Sequence, residues 1–92
     1  MFYLICFDIV DDRLRARVAK VLKGSGERVQ KSVFECQNLS EEKFLKLKAK
    51  LEKIINSGED SVRYYRLCRK CVHDVELSGI GEIAKIKDFE VI

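Results

Sequence analysis

The sequence contains no tryptophan and no proline, and no apolar stretch approaches the roughly 20 residues that a membrane span requires. The N-terminal apolar run is short, ends at Asp8 and has no basic region before it, so we do not expect a signal peptide. Repeats, low-complexity tracts and linkers are also absent. These absences favour a cytoplasmic protein whose 92 residues form one domain with a single modest core.

Acidic residues are scarce in one part of the chain and common in another, although the formal net charge is only +3. Residues 13–31 contain a single acid, Glu27. Their basic residues are Arg13, Arg15, Arg17, Lys20, Lys23, Arg28 and Lys31. The charged residues of segment 74–92 are mainly acidic, with five Asp or Glu against two Lys. The first region can therefore attract a polyanion such as nucleic acid, and the last one cannot.

The four cysteines divide into two kinds. Cys6 and Cys36 occupy strand-like apolar segments, which indicates small core residues. Cys68 and Cys71 form one CxxC, a weak zinc signal because a structural site needs four ligands, although His73 is near and a dimer could pool two pairs. A redox pair would be expected at the start of a helix, whereas here the motif follows a predicted strand. Inert turn cysteines, a disulfide clip and a metal site all stay open.

Hydrophobic periodicity predicts an α+β, ferredoxin-like β-α-β-β-α-β order with a C-terminal extension. The predicted strands cover about residues 2–9, 27–37 (one kinked strand or a tight pair), 61–68, 72–77 and 83–92. The first helix begins after Asp11 or Asp12 and ends at Gly24, and the second begins after Ser40 and ends at Asn56. Both helices would cover one face of the sheet. Because the strands look apolar on both faces, we expect the open face to pack on a second sheet, most simply in a homodimer.

Asp8 closes the apolar run of residues 2–7, which is typical of a strand buried on both faces. Carboxylates are almost never fully buried unless they are paired or bind a metal. One interpretation is therefore metal coordination or acid–base chemistry at Asp8. The other is that the strand ends at residue 7 and Asp8 lies at the surface, while Asp11 or Asp12 caps the next helix. The residues alone leave both interpretations open.

Two blocks of sequence resemble the CRISPR-associated endoribonuclease family, the second of the two core spacer-acquisition proteins. The first block is Phe-Tyr-Leu-Ile-Cys-Phe-Asp-Ile-Val-Asp-Asp at residues 2–12, followed by an arginine-rich helix start. The second, more specific block is Gly-Glu-Arg-Val-Gln-Lys-Ser-Val-Phe-Glu-Cys at residues 26–36. Residues 62–68 also resemble the family's fourth strand. The resemblance is close over the first 36 residues and covers the remainder in outline.

The resemblance implies a homodimer of ferredoxin-like subunits in which residues 83–92 add a strand to the partner's sheet. It places the family's catalytic, metal-binding acid on Asp8, which would face its symmetry mate and hold a divalent ion, usually Mg²⁺. Two carboxylates suit the oxygen ligation that Mg²⁺ prefers, so catalysis would require the dimer. The implied substrate is RNA or double-stranded DNA. Other family members are non-catalytic bridges that hold a DNA duplex and dock the CRISPR integrase.

Basic side chains of the first helix are the best candidates for phosphate contacts. Arg13, Arg17 and Lys20 recur at i, i+4 and i+7 and form a basic ridge, which is the name used for them below. The other predicted nucleic-acid ligands are Arg15, Arg28 and Lys31. The alternative is an ordinary solvated helix face, which we favour for the lysines of residues 43–53. No aromatic cluster indicates single-strand stacking, so we expect non-specific phosphate contacts.

Overall fold

A computed structural model describes residues 1–81, which form a small α+β fold of one four-stranded antiparallel sheet and three helices. The strands are β1 (Phe2–Asp8), β2 (Glu27–Gln30), β3 (Val33–Cys36) and β4 (Ser61–Leu67). The helices are α1 (Asp12–Lys23), α2 (Glu41–Ile54) and α3 (Arg69–His73). The strand order is β2-β3-β1-β4, with β1 and β3 in the centre. The strand expected over residues 83–92 lies outside the described part of the chain.

Both long helices begin at the capping residues that the sequence indicates. The Asp11 carboxylate accepts hydrogen bonds from the backbone N–H of Arg13 at 2.7 Å and of Leu14 at 3.2 Å. These bonds, that of Leu14 first, lower the pKa of Asp11. Ser40 Oγ accepts the N–H of Lys43 at 3.2 Å at the start of α2. Of the two alternatives for α1, Asp11 is therefore the cap, because its side chain satisfies amides that the helix leaves without a partner.

The hydrophobic core lies between the sheet and the two long helices. Alternate residues of β1 point towards the helices, and of these Ile5 is completely buried. The helical stripes predicted from the sequence meet it there, with Leu22 of α1 and Leu51 of α2 both at 0% exposure. Within one chain the helices cover only one face of β1, so the burial of its other face depends on the expected second sheet and stays a prediction. On the other face Leu4 and Cys6 are half-buried.

Residues 27–36 form the tight pair of strands rather than one kinked strand. β2 and β3 are antiparallel, and their register shifts between Arg28 and Gln30. Gly26 precedes β2 and lies against β3, where a Cβ atom would approach Cys36 Sγ to 2.7 Å. That spacing is closer than real side chains adopt, so the hairpin start requires glycine.

The predicted strand over residues 72–77 is wrong, because the chain forms the short helix α3 and then continues to residue 81 without regular structure. Local hydrogen bonds replace strand pairing: the Val72 N–H donates to the Cys68 carbonyl at 3.1 Å, and the Asp74 N–H donates to Lys70 at 3.0 Å. A strand needs a neighbour for its backbone groups, and helical turns satisfy them locally. Within the described residues, no helix is long and apolar enough to cross a membrane.

Candidate functional site

Asp8 is the last residue of β1, and its side chain lies on the face of the sheet opposite the helices. It pairs with Ser61 of β4 on one side. On the other side, the Phe7 N–H donates to the Ser32 carbonyl at 3.0 Å, so the turn between β2 and β3 adjoins this strand end. Asp8 is exposed, and within residues 1–81 its carboxylate makes no hydrogen bond or ion pair. The strand thus ends at the surface with a carboxylate open to a ligand from outside.

A buried carboxylate holds the loop that follows Asp8. Asp60 is 9% exposed, and its Oδ1 accepts the backbone N–H of Val10 at 3.0 Å. Its Oδ2 accepts the N–H of Asn56 at 2.8 Å. Asp60 therefore ties the β1–α1 loop to the turn before β4. Sequence reasoning missed Asp60, because an acid in a polar turn directly before a strand carries no periodic signal.

Arg15 holds the same loop from the helix side. Its guanidinium donates to the Ile9 carbonyl at 3.2 and 3.1 Å and to the Val10 carbonyl at 3.3 Å. It also pairs with Asp12 at 2.6 Å. Arg15 was predicted to contact nucleic acid, but its donors are already used within the protein. Its position makes it a support for the backbone beside Asp8.

Arg28 is also engaged within the protein. Its Nε and Nη2 donate to the Lys31 carbonyl at 3.0 and 2.6 Å, which closes the β2–β3 turn. Its guanidinium carbon lies 5.7 Å from the ring centroid of Phe34, a fully buried core residue. Arg28 remains exposed at the surface, so it can add charge to a binding surface while its Nε and one Nη2 donor shape the turn.

The remaining predicted basic side chains are exposed: Arg13, Arg17, Lys20 and Lys31. None of them forms an ion pair within the part of the chain described by the structure. Lys20 lines a groove of about 410 Å³ between α1 and β2 together with Lys23 and Arg28, which adds Lys23 to the candidates. The helices and Asp8 lie on opposite faces of the sheet. One chain therefore does not join the basic ridge and Asp8 into a single pocket.

The open face of the sheet is mixed in character, so the expectation of an apolar face is wrong. Its centre holds three half-buried apolar side chains, Leu4, Cys6 and Val33. The register places polar side chains around them. These polar residues are Asp8, Glu27, Glu35, Ser61, Arg63 and Tyr65. The prediction of an apolar face rested mainly on β1, where residues 2–7 are all apolar, whereas β2, β3 and β4 place polar residues on this face.

Two acids face each other on this surface, since Glu27 of β2 pairs with Glu35 of β3. Burial, followed by the charge of Glu27, raises the pKa of Glu35 above its ordinary value of 4.5. The folded state therefore holds the Glu35 proton more tightly than the unfolded chain does. As pH rises from about 4.5 through the folded-state pKa, this residue costs the protein stability.

Glu35→Gln should accordingly stabilise the protein by about 0.5 kcal/mol at pH 7, the magnitude typical of a cross-strand pair of like charge. The gain should disappear at pH 4, where the parent carries the proton. Urea unfolding at both pH values measures it. Glu27→Gln should give a smaller gain, because it removes only the second cause. A parent more stable than Glu35→Gln at pH 7 would contradict the argument.

Comparison with known proteins identifies the family. The family model described as CRISPR associated protein Cas2 matches residues 1–75. The chain belongs to the Cas2 family. It is 46% identical over 83 residues to the CRISPR-associated endoribonuclease Cas2 3 of Synechocystis sp., covering 90% of this chain and 89% of the relative. The resemblance found from the sequence is thereby confirmed.

Solved structures of Cas2 chains share the fold. Streptococcus pyogenes Cas2 superimposes with a TM-score of 0.77 at 33% identity, covering 86% of this chain and 100% of the other. A chain from a partial Cas6-RT-Cas1–Cas2 complex gives a TM-score of 0.78 at 31% identity, covering 94% of this chain and 93% of the other. The similarity extends over almost the whole chain in each comparison.

Proposed function

We propose that this Cas2-family chain is a metal-dependent nuclease that cleaves phosphodiester bonds in RNA or double-stranded DNA during spacer acquisition in CRISPR antiviral defence. The observation that carries the proposal is the position of Asp8. An exposed carboxylate ends a rigid central strand, with no partner of its own in residues 1–81. The relative from Synechocystis sp. is named an endoribonuclease.

Magnesium is the cofactor that suits this carboxylate. Within residues 1–81, no group of three or more His, Cys, Asp or Glu side chains could hold a metal ion, so Asp8 would need ligands from outside this part of the chain. Mg²⁺ is commonly bound through one or two carboxylates, with water and phosphate oxygens completing its shell. Asp8 of two subunits would supply that number. A bound ion would polarise the phosphate and lower the pKa of a bound water.

A ferredoxin-like homodimer formed through the open face would bring the two carboxylates together. Asp8 lies in the same row of β1 as Leu4 and Cys6, whose half-buried side chains offer apolar area to a second sheet. Residues 83–92 would extend the partner's sheet in this dimer. The proposal thus assigns the open face to subunit pairing, and it places the basic surface of α1 on the outside.

The chain's own residues have separate tasks in this proposal. Asp60 and Arg15 hold the backbone immediately after Asp8, so that the carboxylate keeps one direction. The basic ridge and Lys31 offer positive charge to the phosphates of the nucleic acid. The sequence carries no groove-reading motif, so binding should not depend on base sequence.

A non-catalytic scaffold is the second candidate, and one comparison favours it. A chain 31% identical to this one belongs to a partial Cas6-RT-Cas1–Cas2 complex. The same dimer could hold a DNA duplex and bridge the CRISPR integrase, Cas1, without cutting any substrate. The two candidates share the fold and the basic surface, and they differ in whether Asp8 is required.

The parent protein should be assayed on labelled single-stranded RNA and double-stranded DNA, with Mg²⁺ and with EDTA. Light scattering on the same samples would give the oligomeric state. Cleavage only with Mg²⁺, by a dimer, supports the nuclease, and the faster substrate identifies its class. If neither substrate is cut while the duplex is bound, the scaffold function replaces the nuclease.

The basic ridge gives a prediction for both candidates. Arg17→Gln combined with Lys20→Gln should weaken duplex binding and reduce the slope of log affinity against log salt by about 2, since each phosphate contact contributes about 0.9. Fluorescence anisotropy at several salt concentrations measures the slope. Lys50→Gln on α2 is the control and should leave the slope near that of the parent. Equal slopes for all three proteins would remove the ridge from the binding surface.

Arg15→Gln should behave differently from the ridge variant, although Arg15 lies on the same helix. Its guanidinium already binds the Ile9 and Val10 carbonyls, so its removal should lower the melting temperature and change the salt slope by well under 1. Thermal unfolding and the anisotropy titration separate the two effects. A slope reduced as much as in the ridge variant would show that Arg15 contacts phosphate after all.

A further inference from the structure

The cysteine pair after β4 belongs to neither the Asp8 site nor the basic ridge. Cys68 and Cys71 are exposed free thiols whose Sγ atoms lie 3.3 Å apart. Cys68 immediately precedes α3 and Cys71 lies within it, so one helical turn sets their separation. The motif follows a strand, as predicted from the sequence, but the predicted strand after it is replaced by α3. We propose that Cys68 and Cys71 form a reversible intramolecular disulfide by exchange with a small-molecule disulfide.

The geometry needs little change to form the bond. A covalent S–S bond is about 2.05 Å long, so the two sulfurs must approach each other by rotation of exposed side chains at the chain surface. The other two cysteines are poor competitors. Cys36 is buried, and burial raises the pKa of its thiol to about 11. Cys6 is half-buried within the sheet.

The two thiols have unequal roles because their surroundings differ. The Cys71 backbone N–H, followed by the Cys71 thiol, favours the charged form of Cys68 and lowers its pKa. The contact with the Cys68 thiol, followed by its charge, raises the pKa of Cys71. Because the thiolate is the nucleophile, Cys68 is the attacking cysteine and Cys71 is the resolving one.

The exchange balances in two steps. The Cys68 thiolate attacks one sulfur of the small disulfide, forms a mixed disulfide and releases one small thiolate. Cys71 then loses its proton and attacks Cys68 Sγ, which forms the protein disulfide and releases the second small thiolate. The two protein thiols are oxidised, the small disulfide is reduced, and the two protons end on the released thiols. An exposed disulfide is open to the reverse reaction, so a reducing thiol pool would restore the dithiol.

The Cys68–Cys71 disulfide would restrict the backbone where the chain leaves the sheet after β4. Leu67, directly before Cys68, pairs with Phe2 at the start of β1. Beyond α3, the segment that includes Val75, Leu77 and Ile80 lines a groove of about 670 Å³ beside β2. A disulfide across the intervening turn would restrict how this segment moves against the groove.

The test equilibrates the reduced protein with mixtures of reduced and oxidised glutathione, followed by acid quenching, alkylation and mass spectrometry of peptides. The expected result for the parent is loss of two of its four thiols to a Cys68–Cys71 disulfide, regained in excess reduced glutathione. Cys71→Ser should accumulate a glutathione mixed disulfide on Cys68. Cys68→Ser should form no intramolecular disulfide, and Cys6→Ser should form the Cys68–Cys71 disulfide as the parent does.

Several results would overturn the proposal. One is that all four thiols of the parent survive in excess oxidised glutathione. Another is a disulfide that joins two chains or involves Cys6. A third is a glutathione mixed disulfide that forms on Cys71 rather than on Cys68. Zinc bound by the reduced parent that protects both thiols would replace the redox pair with a metal site. Circular dichroism checks that each variant is folded. The result does not depend on nuclease activity, since no assay here uses a nucleic acid.

Discussion

Asp8→Asn is expected to lower Mg²⁺-dependent cleavage by at least about 100-fold, since even residues that only support metal ligands cost 10–100-fold when they are lost. Asparagine keeps the size and shape of the side chain but removes the charge that would bind the metal ion. In the proposed dimer the substitution removes both carboxylates at once. The effect on cleavage should therefore be the largest of any single substitution on the open face.

The same substitution should leave the fold intact. Asp8 is exposed, and its carboxylate makes no hydrogen bond within the described residues. The free energy of unfolding of Asp8→Asn should therefore stay within about 0.5 kcal/mol of the parent's. Asp12→Asn is the matched control, because Asp12 is an exposed acid four residues away whose ion pair within residues 1–81 is with Arg15. Gel assays with labelled RNA and duplex DNA give the rates, and anisotropy gives the binding.

Cleavage by Asp8→Asn at the parent's rate would remove Asp8 from the chemistry. If the parent itself cuts neither substrate, and both proteins bind duplex with the same salt dependence, Asp8 is a structural residue of a scaffold. Loss of cleavage with retained binding and folding leaves metal-dependent hydrolysis as the function of the site.

Asp60→Ala is expected to destabilise the protein by about 3 kcal/mol, since two hydrogen bonds to a charged acceptor are lost at about 1.5 kcal/mol or more each. Both carboxylate oxygens of Asp60 are used, one by the Val10 N–H and one by the Asn56 N–H. Alanine leaves these amides without their acceptor at a partly buried position. The β1–α1 loop and the turn before β4 should then separate.

Urea unfolding of three variants tests this. Asp60→Asn keeps one acceptor oxygen and should lose about half as much stability as Asp60→Ala. Glu59→Ala is the control in the same turn, where an exposed acid should change stability by less than about 0.5 kcal/mol. Equal stability of Asp60→Ala and Glu59→Ala would show that the buried carboxylate does not hold the loop. At temperatures where Asp60→Asn is folded, any cleavage should be slower than in the parent, because the backbone after Asp8 is less restrained.

Local patterns predicted much of this fold correctly. Ser40 and one of the two acids after β1 were identified as helix caps, since capping depends on residues two or three positions apart. The apolar stripes that bury Leu22 and Leu51 follow the helical period directly. The wrong prediction of a strand over residues 72–77 also came from a local sequence pattern. Alternating apolar residues suit a strand, but no strand among residues 1–81 pairs with them, and the N–H groups of Val72, Asp74 and Val75 bond locally instead.

The sequence by itself determined the order of the main elements, the residues of the core, the family and the candidate carboxylate Asp8. Only the tertiary structure decided which charged side chains are available for binding. Arg15 and Arg28 look like Arg17 in the sequence, yet their guanidiniums bind backbone carbonyls that folding brings near. The structure also brought Asp60 to Val10, 50 positions away along the chain. Periodicity reports contacts between near neighbours, whereas the partners of a charge are set by how distant segments meet.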